Sequence, residues 1–180
     1  MDLFEAIDKR YSYRGAFTDA PVPREDLVRI VEAGLRAPSG CNAQTTTFVI
    51  VDDPDALGEI RRLHPMRAVQ DVKAVIACVT SREPEPVYRD MSFEVEDCSA
   101  AVENMLLAAT ALGYATVWID GALRHDGRAE RLGELLGVPK DRVVRVLLPV
   151  GVPAEAGPRK PKKPFGERVW FNRHGPAGSA

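Results

Sequence analysis

The sequence predicts an α+β fold in a single domain over residues 1–172, with a tail at 173–180 expected to be disordered. Three observations predict it. Four runs rich in β-branched, aromatic or other apolar residues, 46–51, 74–79, 114–119 and 143–150, are interleaved with stretches of helical periodicity. One helix, 98–112, is apolar on nearly every face past Met105, the mark of an element buried on more than one side. The 180 residues, 45% of them hydrophobic, suffice for one substantial core, and no repeat or linker divides the chain.

Asp2 is placed to cap a first helix, with Glu5 at the reciprocal capping-box position and Leu3, Phe4 and Ile7 as the buried stripe. That helix runs out in Lys9-Arg10-Tyr11-Ser12-Tyr13-Arg14-Gly15, where Arg10, Ser12 and Arg14 fall at alternate positions and share one side of an extended backbone. Guanidinium forks and a hydroxyl suit phosphate oxygens; a solvated basic turn fits the same residues. Pro21-Val22-Pro23 opens a second helix, with Glu25 and Asp26 at the favourable end of its dipole and Leu27, Ile30, Val31 and Leu35 as its apolar stripe. It must stop at Ala37, before Pro38. Residues 37–44 then form a loop dense in small and amide-bearing side chains that leads into the first strand. Asn42 and Gln44 each offer a donor and an acceptor to a planar heterocycle, although turn chemistry alone also accounts for them.

Residues 54–63 read as a surface helix, and the polar, proline-bearing connector 80–91 as an exposed loop or a lid. The long helix ends at Gly113, a natural left-handed terminator, and the strand after it stops at Asp120-Gly121, a small turn that exposes backbone. Asp126 is placed to cap a further helix, with Leu132, Leu135 and Leu136 inward and Gly137 closing it. Beyond the last strand, Pro153, Pro158, Pro161 and Pro164 break any helix, while Arg159, Lys160, Lys162, Lys163 and Arg168 make a cationic arm. Val169-Trp170-Phe171 is too apolar for free solvent, so the arm is expected to lie on a surface, such as that of a second subunit.

Composition narrows the function. A net charge of −2 from 24 basic and 26 acidic residues, interspersed, offers no field to nucleic acid or an anionic membrane. The N-terminal segment is acidic and amphipathic rather than signal-like, and no apolar run reaches membrane length, so a cytoplasmic protein is expected. Three cysteines and three histidines are scattered without ligand spacing. Neither a disulfide framework nor a metal site is expected, and nothing selects a Cys–His nucleophile.

Four motifs in order carry a resemblance. They are Arg10-Tyr11-Ser12-Tyr13-Arg14, the loop 37–44, Leu106 to Gly113 with Trp118-Ile119 behind it, and Gly151 followed by Lys160-Pro161-Lys162-Lys163-Pro164. Together the chain resembles the FMN-dependent nitroreductase family over residues 3–170. The resemblance implies a mixed, mainly antiparallel sheet flanked by helices, an intertwined homodimer built around the long helix, and one FMN at each subunit junction. It implies that Arg10, Tyr11, Ser12 and Arg14 line the phosphate, ribityl and pyrimidine side of the flavin. Pro38, Ser39, Gly40 and Asn42 would reach it from the other subunit, Asp120-Gly121 would present backbone N–H groups to the ring edge, and Lys160 and Lys162 would reach the phosphate. The implied electron donor is NAD(P)H and the acceptor a small nitroaromatic, quinone or similar molecule, with no catalytic side chain because the flavin carries the chemistry. A flavin-cleaving or dehalogenating relative, and a non-catalytic flavin-binding protein, stand as alternatives. Burying a phosphate needs cations and several donors, which this chain concentrates only at 9–14 and in the arm, so the two must meet. A cation at Arg14 beside the pyrimidine would raise the flavin's reduction potential. The chain departs from the family pattern in having Gln44-Thr45-Thr46 for Gln-Pro-Trp, a short 80–91 connector, and Lys162 where arginine is common.

Overall fold

The run Ala-Val-Ile-Ala-Cys-Val-Thr-Ser forms strand β2 (Ala74–Ser81) and is buried at every position but the last. A strand hidden on both faces needs a layer on each side. The structure, a computed structural model, describes residues 1–175, so the end of the expected tail at 173–180 lies outside the described residues. Strand β2 pairs with β1 (Thr47–Val51) and β4 (Arg142–Gly151), and β4 carries the short β3 (Ala115–Thr116), in the order β1-β2-β4-β3. These pairings are all antiparallel; the parallel component of the sheet is a single bridge from Ser12 to Thr116.

Alternate residues of β2 feed two separate cores. Val75, Ala77 and Val79 share one with Leu57 and Ile60 of α3 (Pro54–Leu63), Val69 of α4 (Arg67–Gln70) and Leu132 of α6 (Arg128–Leu135). Ala74, Ile76 and Cys78 share the other with Leu27 and Ile30 of α2 (Arg24–Leu35) and Val102 and Met105 of α5 (Glu94–Ala111). The β2–β4 register slips between Cys78 and Val79, which makes Arg145 the extra residue of a bulge. Val144 and Val146, two apart, therefore fall in opposite cores. Helices α2 and α5 pack tightly at Gly34, where an added Cβ would lie 2.9 Å from Met105 Cγ.

Several expectations need correction. Helix α2 ends at Leu35, with Arg36 as its cap, rather than at Ala37. The strand expected at 114–119 pairs only at Ala115–Thr116; it leaves the ladder at Val117 and returns as an Ile119–Leu147 bridge. Helix α4 has only four residues, too short for any periodicity to announce it. Asp126 does not cap α6: its φ is 57°, its carboxylate pairs with Arg128 at 2.8 Å, and Gly127 takes the cap position. Asp2 does cap α1 (Leu3–Lys9), accepting the Glu5 N–H at 2.9 Å, but the Glu5 carboxylate turns to Lys9 instead of closing the box.

The largest difference concerns burial. Leu3, Phe4 and Ile7 are 61%, 82% and 50% exposed, and in α1 only Ala6 is buried, because α1 packs on α5 and no described residue lies over its other face. Helix α5 buries one face; Val95 is exposed and Leu107 and Ala108 are half-buried, so its expected two-sided burial is not completed within the chain. Leu35, expected in the stripe of α2, is likewise exposed.

His64, which ends α3, is 3% exposed, and neither ring nitrogen has a hydrogen-bond partner among the described residues. Burial first, and the Arg128 guanidinium second, hold its pKa below the ordinary value. The folded protein therefore keeps the imidazole neutral while the unfolded chain, titrating at about 6.5, takes up the proton first. A depressed folded pKa contributes stability that is fully present above that pH and is lost as pH falls below it. Tm is expected to drop between about pH 7.5 and about pH 5.5, and His64→Leu to shrink the drop by about 2–4 °C per kcal/mol of linkage removed. Calorimetry of both proteins at both pH values checks this; an equal drop in the two would contradict it.

Candidate functional site

Residues 10–14 leave α1 in extended conformation and dock on the sheet edge: Tyr13 N–H donates to the Thr116 carbonyl at 2.9 Å, beside the Ser12–Thr116 bridge. Alternation then sorts the side chains. Tyr13 is fully buried, edge-on to Phe17, with its hydroxyl donating to the Ala16 carbonyl at 2.5 Å. Tyr11 stands on the same side, 6.2 Å from Tyr13 in an edge contact. Arg10, Ser12 and Arg14 take the other positions, as their spacing predicts.

The C-terminal arm returns to this segment. Its start pairs with residues 16–18: Thr18 N–H reaches the Val152 carbonyl at 2.9 Å and Ala154 N–H the Ala16 carbonyl at 3.0 Å. Gly157 N–H then donates to the Tyr11 hydroxyl at 3.0 Å. An added Cβ on Gly157 would lie 3.2 Å from the Tyr11 ring and 3.3 Å from that of Tyr13, so a side chain here would push the rings back by a few tenths of an ångström. The Arg159 guanidinium sits 5.0 Å from the Tyr11 ring centroid and donates to the carbonyls of Asp8 and Lys9 at 3.0 and 2.6 Å. Arg159 thus caps the C-terminal end of α1.

Between the two segments lies a cavity of about 780 Å³, walled by Asp8, residues 10–15 and residues 155–160 together with Lys162. Arg10, Tyr11, Ser12, Arg14, Lys160 and Lys162, six of the sequence-predicted residues, line it, and so does Arg159. Its wall carries five cations, with Asp8 and Glu155 as the only carboxylates. Arg10 Nε lies 3.3 Å from Glu103, and Arg14 donates to the Ser12 carbonyl at 3.3 Å. Among the described residues Arg14, Lys160 and Lys162 have no carboxylate partner, and the Ser12 hydroxyl has no hydrogen bond. Such a wall can take an anion with several oxygens.

The remaining predicted residues lie elsewhere in the chain. Pro38 and Ser39 line a separate, mostly apolar groove of about 390 Å³ with Val31, Leu35, Phe48 and Ala101. Gly40 and Asn42 form a short 3-10 turn in the same loop. Asp120 starts another such turn, its carboxylate held by Arg124 through bonds of 2.7 and 2.6 Å, and Gly121 is exposed with open space where a side chain would stand. One chain therefore brings together the two basic segments but not the 38–42 loop or Asp120-Gly121. Arg159, named in the sequence only as part of the cationic arm, and Gly157 are wall residues that were not among the expected site residues; the basic run signalled the first, while the second is legible only from its contact with Tyr11. A third cavity, about 680 Å³, lies under the 82–92 loop and shares Thr45 and Asp97 with the groove.

A family model described as the nitroreductase family matches residues 7–87 and 67–152. The chain is 35% identical over 158 residues to a Methanothermobacter thermautotrophicus protein provisionally named an NADH dehydrogenase/NAD(P)H nitroreductase, spanning 86% of this chain and 79% of that one. It is 31% identical over 179 residues to the FMN reductase [NAD(P)H] of Bacillus subtilis, spanning 91% and 70%. A crystal structure of a Bacteroides fragilis nitroreductase with bound FMN is similar in fold, with a TM-score of 0.75 at 26% identity, over 96% of this chain and 100% of that one.

The geometry of the arm yields a test. Tyr11→Phe keeps the ring under Arg159 and removes the acceptor for Gly157 N–H. One neutral hydrogen bond is worth about 0.5–1.5 kcal/mol, so the open arm should become about 2–10 times more populated. Trypsin should then cut Arg159–Lys160 and Lys162–Lys163 faster by that factor, with Tm little changed; an unchanged cleavage rate would show that the bond does not hold the arm.

Proposed function

The chain belongs to the nitroreductase family, and from that premise we propose that the cavity between residues 8–15 and the C-terminal arm holds its FMN. The protein is a flavin-dependent oxidoreductase that takes electrons from NAD(P)H, with FMN as its cofactor. One observation carries the placement: basic segments from opposite ends of the chain close around a single cavity whose Arg14, Lys160 and Lys162 lack carboxylate partners among the described residues.

The donor set fits a phosphorylated flavin. Arg10, Lys160 and Lys162 supply the positive charge that a buried phosphate needs, and the Ser12 hydroxyl supplies a neutral donor. Tyr11 forms the cavity wall and holds the arm in place. Arg14, next along the segment, is our candidate for the pyrimidine edge, where a fixed cation favours the reduced ring and raises its potential. Bound there, FMN supplies the two-electron chemistry between nicotinamide and acceptor, which is why the chain needs no side-chain nucleophile. We assign the acceptor to the class of nitroaromatics, quinones and similar planar, electron-poor molecules.

The rest of the site is assigned to a second copy of the chain, whose Pro38, Ser39, Gly40 and Asn42 would cover the ring, while Asp120-Gly121 would offer backbone N–H groups to its edge. A homodimer is favoured by the apolar surface one chain leaves uncovered: Leu3, Phe4 and Ile7 on α1, Leu35 on α2, Val95 on α5, and Phe165 and Phe171 on the arm. No helix among the described residues is long and apolar enough to cross a membrane. Dependence on NAD(P)H favours the cytoplasm as its compartment.

Two measurements test this reading. Titration of apoprotein with FMN, followed by flavin fluorescence, should show Kd raised about 10–100-fold by Arg10→Ala, which removes a charged donor, and about 2–10-fold by Ser12→Ala. Tm should stay close to wild type, since both residues lie outside the cores; equal FMN retention by wild type and both variants would refute the placement. Light scattering should give a particle of twice the 19.7 kDa chain mass at all working concentrations, and a monomer would refute the shared site.

A further inference from the structure

The loop 38–44 has an unusual backbone for a segment with a single glycine. Cys41, Asn42 and Gln44 all have positive φ, at 51°, 56° and 52°. Residues without a glycine's freedom hold such angles only when their surroundings impose them. Most of the loop's hydrogen bonds are internal: Asn42 N–H to the Ser39 carbonyl at 2.9 Å, Ala43 N–H to the Gly40 carbonyl at 3.0 Å, and Gln44 N–H to Ser39 Oγ at 3.1 Å. Between Ala37, bonded to Gly34, and the start of β1, two bonds fasten it to the body of the protein. Gly40 N–H donates to Asp97 Oδ1 at 2.8 Å, and Arg142 Nη2 donates to the Thr45 carbonyl.

We infer that Asp97 is a positioning residue for the flavin site: its buried carboxylate, seated in the first turns of α5, fixes the loop that covers the partner subunit's isoalloxazine. Asp97 is only 8% exposed, although charged. Burial is tolerated because α5 presents the positive end of its dipole here and Gly40 supplies a hydrogen-bond donor. Packing makes the seat specific. An added Cβ on Gly40 would stand 2.4 Å from Phe93 Cδ2, so the loop rests its glycine backbone directly on the ring that precedes α5. Phe93 and Asp97 thus grip Gly40 from two sides, and Ser39 and Asn42 flank it. Glu94, 3% exposed, does the equivalent task at the neighbouring chain segment by accepting the Ser81 N–H at 2.8 Å. On this reading Asp97 acts through Gly40, the group it holds.

This inference rests on the flavin reading proposed above, and the experiment separates the two. Wild type, Asp97→Ala, Asp97→Asn, Gly40→Ala and Arg10→Ala are each titrated with FMN, and the visible spectrum of the fully bound flavin and Tm are recorded. Asp97→Ala should raise Kd about 10–100-fold, the loss expected for a hydrogen bond to a charged group, and alter the band shape of the bound flavin. Asp97→Asn, which keeps a carbonyl acceptor, should restore most of both. Gly40→Ala, which lifts the loop off Phe93 with the carboxylate intact, should reproduce the spectral change. A role in folding alone would lower Tm and leave the bound spectrum untouched, and that result overturns the inference. If Asp97→Ala does not fold, Gly40→Ala and Asp97→Asn decide: a wild-type spectrum in Gly40→Ala overturns it. Should Arg10→Ala lose FMN while Asp97→Ala binds as wild type does, only this inference fails; should Arg10→Ala also bind normally, the flavin reading fails.

Discussion

Like charges do not gather unless something holds them together, and five cations around one cavity need a fastening that is not itself a ligand. Tyr11 provides it. Its hydroxyl takes the Gly157 N–H and its ring lies under the Arg159 guanidinium, so one side chain grips the arm at two points. Arg159 is in turn committed to the carbonyls that end α1, where a cation meets the negative end of the helix dipole. Tyr11 is positioned by its neighbour: Tyr13, wholly buried and bonded to Thr116 in the sheet, fixes the segment from which Tyr11 projects. The repulsion among Arg10, Arg14, Lys160 and Lys162 is thereby held in place at an open, partly screened surface, ready to be offset by an anion.

Local chemistry made much of this legible in the sequence. The alternation of Arg10, Ser12 and Arg14 survives in the structure because the segment is extended and pinned to the sheet, and Pro54 to Leu63 forms a helix with the bounds its pattern predicts. Gly113 and Gly137 adopt the left-handed angles that their positions after helices suggest. What failed depended on contacts that residue type and spacing do not specify. Leu3, Phe4 and Ile7 have perfect amphipathic spacing, but spacing says that a face is apolar and not what covers it. Asp126 has the right residue type for a cap, but its carboxylate is taken by Arg128 and Gly127 accommodates the turn. Nothing in the sequence marks Asp97 out from its neighbour Glu96; only the fold reveals that it reaches a loop 57 residues earlier.

Helix α5 explains why those distant contacts converge. Its middle packs into the core beside α2, where Gly34 lets the two helices touch, while its first turns are free to serve the loops that meet there. Buried carboxylates are poor building material unless donors surround them, and a helix start supplies both the favourable dipole and loop N–H groups in need of acceptors. Glu94 and Asp97, three apart and so on one side of the helix, bind Ser81 and Gly40 respectively. The end of β2 and the loop before β1 are therefore held to a common reference. A strained loop positioned by a rigid helix can be reproducible to a degree that a loop held by its own contacts cannot.

On the proposed assembly, the incompleteness of the single chain has a thermodynamic consequence. A lone chain offers the basic cavity but leaves the ring uncovered, and its 38–44 loop faces no flavin of its own. Each subunit would then bring only part of the binding free energy, and the two parts add only when the subunits are together. Linkage requires the effect to run both ways: if assembly raises FMN affinity by some factor, bound FMN strengthens assembly by the same factor. The exposed apolar side chains of α1, α2 and α5 would make the dimer tight without cofactor, so that FMN adds local order to a framework already assembled. Under that balance the costly elements, concentrated positive charge and a left-handed loop, are confined to the site, while ordinary hydrophobic burial carries the stability.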